Sequence, residues 1–143
     1  MFENISPLIT GISDGVGGNA GGELAAQFIC QHSHILTEDD IQKKSAKINF
    51  ELLKYASEIS GKEKMAATFS AIISGETSKL FHIGNTRVFT VQAGYLKQLT
   101  DDHTTYNLLK TRGLYGEAEN CNKSEIISCF GGGTNHLFTP DIK

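Results

Sequence analysis

Sixteen residues near the start of the chain, GISDGVGGNAGGELAA (11–26), hold six glycines and one aspartate, Asp14. Three chemistries fit an aspartate in that setting. As a turn residue, Asp14 would hydrogen-bond its own backbone while Gly15 tolerates positive φ. As part of an anion cradle, the glycines would turn backbone N–H groups and the start of a following helix toward a phosphate, although neither G-K-[ST] nor a G-x-G-x-x-G with its distant acidic partner is present. As a hard-cation ligand at a strand end, Asp14 would offer its carboxylate and Gly15 its carbonyl to one ion. The stretch by itself leaves all three open.

The other chemistry-bearing residues read more simply. His82 lies in an extended run and is expected to be a core histidine with both ring nitrogens satisfied. His103, in DDHT, is expected to support the cap of the next helix, and Asp101 and Asp102 to be charges at that helix's N-terminus. Arg87 reads as structural. Cys30, Cys121 and Cys129 are odd in number and lack C-x-x-C spacing, so they read as buried thiols with no disulfide framework and no zinc site.

Elements that could position these residues follow from periodicity. Residues 6–13 read as a short buried strand ending at the glycines, and Leu24, Ala25, Phe28 and Ile29 recur at helical spacing from Gly22 to about His34. Thr37 is the expected N-cap of a second helix whose stripe runs Ile41, Ile48, Leu52, Tyr55, Ile59 to a C-cap at Ser60-Gly61. Four extended runs then form an antiparallel meander: 66–74, 79–83, 87–92 and 95–99. A helix capped by the Thr100 segment runs through Leu108 and Leu109 to Arg112, and 124–130 reads as a last strand before Gly131-Gly-Gly. Helices followed by consecutive strands predict an α+β fold with a mostly antiparallel sheet.

Composition narrows the partners. The chain has 143 residues, 39% apolar and 20% charged, which suits one globular domain over 1–143. A net charge of −3, with Arg87 and Arg112 the only arginines among thirteen basic residues, gives no footprint for nucleic acid. No apolar run reaches the roughly 18 residues of a membrane span, and MFENISPLIT lacks a basic region ahead of an apolar one, so no membrane partner and a cytoplasmic location are expected.

The ordered segments together carry a resemblance. SDGVGGNAGGELAA resembles the D-G-x-G-G signature of the type-2C, metal-dependent serine/threonine protein phosphatases (the PPM family), and the bacterial branch fits best. KMAATFSAIIS is similar to the family's M-G-T-T strand, KLFHIGNTRVFTVQAGYLKQLTDDHT to its H-x-G-D-S-R and L-T-x-D-H-S block, and IISCFGGG stands where I-T-R-A-L-G is usual. The resemblance implies an αββα sandwich of two mostly antiparallel sheets, hydrolysis of phosphoserine and phosphothreonine proteins, and two Mn²⁺ or Mg²⁺ ions. Asp14 would bridge the ions and the Gly15 carbonyl would bind one. The nucleophile would be a metal-activated water, so no side chain is assigned a catalytic role.

Departures from the family pattern shape the rest of the expectation. The family's early arginine-bearing strand and its later metal aspartates have no counterpart here, and Asn85 replaces the aspartate of G-D-S-R, where a neutral amide binds a hard cation more weakly. The chain therefore reads as a partial phosphatase domain, truncated at both ends, inactive by itself and monomeric when complete. The alternative is a non-catalytic, phosphatase-like binding module.

Overall fold

A computed structural model describes residues 8–17 and 20–143. The chain runs β1 (Ile9–Gly15), α1 (Ala20–His32), a 3-10 turn (Ser33–Ile35), α2 (Ile41–Ser57), β2 (Ala66–Ile73), β3 (Lys79–Ile83), β4 (Phe89–Gln92) and β5 (Tyr95–Gln98). It continues with α3 (Thr105–Thr111), α4 (Tyr115–Asn120), β6 (Phe130–Gly131), a second 3-10 turn (Asn135–Leu137) and β7 (Asp141–Ile142). Among the described residues the strands form two antiparallel sheets. The larger has the order β1-β2-β3-β7, with β6 pairing the start of β2, and the smaller is the β4-β5 hairpin. The α+β class and the two antiparallel sheets expected from sequence are both present.

β2 anchors the molecule because both of its faces are covered. Ala67, Phe69, Ala71 and Ile73 alternate toward the helices and bury with Ala25 and Ile29 of α1, Ile48, Leu52 and Ala56 of α2, and Phe81 and Ile83 of β3. Phe69, Phe81 and Phe130 meet at ring-centroid distances of 5.9–6.3 Å, within the range in which aromatic pairs attract. Thr68 and Ser70 point to the opposite face and are also buried, joined there by His82 of β3.

Several expectations need correcting. The first strand is an edge strand: Leu8 and Ile12 are 68% and 58% exposed, so an apolar run there does not mean burial, and it continues through Asp14 and Gly15. Its first two expected residues, Ser6 and Pro7, fall outside the described residues. Asp40 occupies the N-cap position of α2 without a side-chain bond, and the hydroxyl of Thr37 instead accepts from Lys44 Nζ at 2.8 Å. That helix stops at Ser57, before Ile59, and Gly61 serves the following turn. The four runs do not make one meander, because β2 and β3 lie in the large sheet while β4 and β5 pair with each other.

Downstream, Thr104 rather than Thr100 caps α3, its hydroxyl accepting from Asn107 N at 3.2 Å. Residues 124–129 are not a regular strand because their backbone bonds scatter: Glu125 O accepts from Thr105 N, Ile127 N donates to His103 O, and Cys129 N donates to Leu137 O. The helix α4 and strand β7 carry no apolar stripe long enough to read from sequence.

His82 behaves as expected. It is buried, its ring bonds to Ser70 Oγ at 2.8 Å and to the Asp101 carbonyl at 2.9 Å, and burial pushes its pKa below the ordinary histidine range. In the unfolded chain His82 gains a proton as pH falls through about 6.5, while the native ring stays neutral to lower pH. The unfolded state then binds more protons, so this residue's contribution to stability is present above that pH and is lost as pH falls toward the native pKa. Urea midpoints at pH 7.5 and 5.5 should differ, with the acidic one lower, and His82→Gln should narrow the gap. An equal gap in the variant would assign the acid sensitivity elsewhere.

Candidate functional site

Asp14 sits in the last two residues of β1, paired with Thr68, while Gly15 pairs with Ala67. The pairing runs one residue further, Val16 N donating to Ala66 O at 2.9 Å, and the chain turns only at Val16 and Gly17, where φ is +88°. Asp14 is thus an extended strand residue, which removes the simple turn reading: the turn lies beyond it. Ser13 Oγ donates to the Thr68 carbonyl at 2.7 Å and Thr68 Oγ1 reaches the Asp14 carbonyl at 3.4 Å, so this strand end is fastened through its backbone and neighbours. The Asp14 side chain is exposed and, among the described residues, makes no hydrogen bond or ion pair.

The glycines hold the strand end against α1. A Cβ on Gly15 would lie 2.5 Å from the carbonyl carbon of Gly22, and one on Gly22 would lie 3.1 Å from Gly15, so the two backbones touch where side chains would part them. A cleft of about 330 Å³ opens beside this contact, walled by Val16, Gly21, Gly22, Lys62, Lys64 and Met65. Of the glycines in the anion-cradle reading, Gly18 lies outside the described residues.

The remaining candidates gather on the far face of β2 and β3. Arg87 Nε donates to Asp102 Oδ1 at 2.8 Å and Nη2 to Oδ2, a bidentate pair that raises the guanidinium pKa further. Asp102 is therefore spent on Arg87, and its carbonyl accepts from Asn107 Nδ2. Asp101 lies 3.6 Å from Lys143 Nζ. His103 does not support the helix cap: its backbone N donates to Gly84 O, its Nδ1 meets Gly84 N at 3.2 Å and its Nε2 lies 3.1 Å from Asp141 Oδ2. Asn85 is exposed in the turn after β3. Of the cysteines only Cys129 is buried, which pushes its thiol up to about 11, while Cys30 is exposed and Cys121 half-buried.

Sequence reasoning missed Thr68, Ser70, Thr86 and Asp141 as partners of these residues. Ser70 could have been found, since it stands directly opposite His82 in the β2–β3 hairpin register. Asp141 carried no signal.

A pair of divalent cations needs many oxygen ligands, several of them carboxylates. Asp14 and the Gly15 carbonyl are the right donor types for one corner of such a site. Among the described residues, however, no group of three histidine, cysteine, aspartate or glutamate side chains could hold a metal ion. The donor set here does not fit a two-ion centre by itself.

Comparison with known proteins shows what this chain is similar to. The chain matches no family model. It is 27% identical over 127 residues to the serine/threonine phosphatase Stp of Listeria innocua, covering 78% of this chain and 50% of that protein. It is 30% identical over 111 residues to the serine/threonine protein phosphatase PstP of Mycobacterium tuberculosis, covering 71% of this chain and 22% of that protein. The chain thus spans about half the length of the Listeria relative and less than a quarter of the mycobacterial one. Among solved structures, Stp1 of Staphylococcus aureus superposes with a TM-score of 0.79 at 22% identity, over 96% of this chain and 59% of that one. The M. tuberculosis phosphatase PstP/Ppp superposes with a TM-score of 0.76 at 24% identity, over the whole of this chain and 67% of that one.

The sequence likeness is to bacterial serine/threonine phosphatases, and the fold likeness is to solved phosphatases of the same kind. The chain carries a part of the fold of these phosphatases. Among the described residues, no helix is long and apolar enough to cross a membrane.

Proposed function

We propose that residues 1–143 form a single, partial PPM domain of a protein serine/threonine phosphatase. In it, Asp14 and the Gly15 carbonyl are the chain's contribution to a centre of two Mn²⁺ or Mg²⁺ ions, and the substrates are phosphoserine and phosphothreonine proteins in the cytoplasm. The complete domain would act as a monomer. One observation carries this reading: within a phosphatase fold, the carboxylate of the SDGVGG segment stands exposed at the end of β1 with no partner among the described residues, as a side chain kept for an outside ligand would. Hydrolysis of a phosphothreonine peptide by the full-length gene product tests it. Mn²⁺-stimulated turnover is expected, and a folded full-length protein without it would overturn the enzymatic reading.

A second reading, a phosphatase-like module that binds a partner without hydrolysis, is favoured by the absence, among the described residues, of any group of three histidine, cysteine, aspartate or glutamate side chains that could hold a metal ion, and by Asn85 in place of an acidic ligand. The two readings agree on this chain in isolation. With one carboxylate and one carbonyl against the hydration shell of a divalent ion, residues 1–143 should bind Mn²⁺ weakly, without a stoichiometric micromolar site, and should show negligible phosphatase activity. Calorimetric titration decides the first point. A tight site would mean that Asp101 or another acidic side chain joins Asp14, contrary to the geometry described above.

A further inference from the structure

Two histidines that the phosphatase reading leaves unused meet over the end of β3: the rings of His82 and His103 lie 4.7 Å apart with their planes 50° from one another. Their proton positions follow from donor accounting. The Asp101 carbonyl can only accept, so His82 carries its proton on Nε2 and leaves Nδ1 to accept from Ser70 Oγ. Ser70 in turn accepts from the Thr86 hydroxyl at 2.6 Å. For His103 the Gly84 N–H can only donate, so Nδ1 is bare and Nε2–H donates to the Asp141 carboxylate. All of these bonds are made when both rings are neutral.

A second proton affects the two rings differently. On His82 it would meet Ser70, a hydroxyl that can reverse its role and accept, but the ring is buried and its pKa lies low. On His103 it would add an N–H at Nδ1 pointing at the Gly84 N–H, two donors face to face, and a backbone amide has no way to accept. The other bond would strengthen, because a cationic ring faces Asp141, whose side chain is 41% exposed. The remaining charges nearby are committed: Asp102 to Arg87, and Asp101 faces Lys143.

We propose that His103 is a proton-operated latch on the turn after β3: neutral, it holds the Gly84 amide, and protonated, it keeps Asp141 and releases that amide. The turn it controls is tightly seated, since φ of Gly84 is +107° and a Cβ there would overlap the Thr68 side chain. Thr68 is the residue paired with Asp14 across β1 and β2. Acid would therefore loosen the packing that lies directly over the partner of the candidate metal ligand. The inference depends on the fold alone and stands whether or not the full-length protein is an enzyme.

Nuclear magnetic resonance on the 143-residue chain tests it between about pH 8 and pH 5, the range in which histidine charge changes. The His103 Nδ1 signal should pass from unprotonated to protonated, and the Gly84 amide resonance should move with the same midpoint. Its protection from hydrogen exchange, corrected for the intrinsic rate, should fall roughly tenfold, as expected for one lost hydrogen bond. His103→Asn places an amide oxygen where Nδ1 stood, an acceptor at every pH, so protection of Gly84 should then be flat. The proposal is overturned if His103 stays neutral to about pH 5, if it titrates while the Gly84 amide is unmoved, or if the variant shows the same acid loss. Should the variant fail to fold, the paired signals of the unaltered chain decide the matter.

Discussion

Asp14→Asn in the full-length gene product should leave a folded protein whose Mn²⁺-dependent hydrolysis of a phosphothreonine peptide is lower by orders of magnitude. The structural side of that expectation rests on what the carboxylate does not do. It is exposed and makes no hydrogen bond or ion pair among the described residues, and β1 is held through its backbone, Ser13 and Thr68. An amide of the same size disturbs none of these, so stability should change by no more than about 0.5 kcal/mol, the usual range for surface substitutions. The chemical side rests on charge, because a neutral amide is a poor exchange for a carboxylate facing hard divalent ions. Urea unfolding together with turnover at saturating Mn²⁺ separates the two. A variant that hydrolyses substrate as the parent does would remove Asp14 from the site, and one that unfolds much earlier would return it to a structural role.

What could be read from sequence divides along a physical line. Periodicity located β3 at 79–83 and found Ala25 and Ile29 of α1 and Ile41, Ile48 and Leu52 of α2, which pack against the core with regular spacing, while Tyr55 of the expected stripe is exposed and Ile59 lies beyond the helix. Periodicity could not say which sheet a strand joins. The runs that became β4 and β5 leave Val91, Tyr95 and Leu96 more than 70% exposed, and nothing in their alternation distinguishes them from the covered strands β2 and β3. The edge position of β1 was hidden for the same reason. At the site, Asp14 was legible from its local motif, and the satisfied ring of His82 from its place in an extended apolar run. The pairing of His103 with Asp141 spans 38 residues and depends on β7 closing beside β3, a long-range event with no local pattern. Short elements such as α4 were invisible because six residues cannot display a stripe. The structure holds this one by a bond from Leu114 N to the Leu109 carbonyl and by burial of Ala118.

Gly15→Val should be the most damaging single change in the opening segment to the stability of this chain. The φ of Gly15 lies outside the left-handed region, so its backbone conformation suits any residue and the whole cost is steric. A Cβ there meets the Gly22 carbonyl carbon at 2.5 Å, its oxygen at 2.6 Å and its Cα at 2.8 Å. These are backbone atoms of α1, which cannot rotate aside as the tip of a side chain would. Either the helix start or the end of β1 must move, and moving β1 breaks the Gly15–Ala67 pairing and the bond from Val16 N to Ala66 O. Forced overpacking of this kind costs about 1–3 kcal/mol, more where backbone must shift. Gly17→Ala supplies the comparison: φ there is +88°, but a Cβ would meet nothing within 4 Å, so only the conformational penalty of about 1–2 kcal/mol applies. Urea midpoints should fall in the order parent, Gly17→Ala, Gly15→Val. A Gly15→Val chain that unfolds with the parent would show that β1 and α1 do not touch at this point, and with that contact would go the geometry that sets Asp14 at the strand's exposed end.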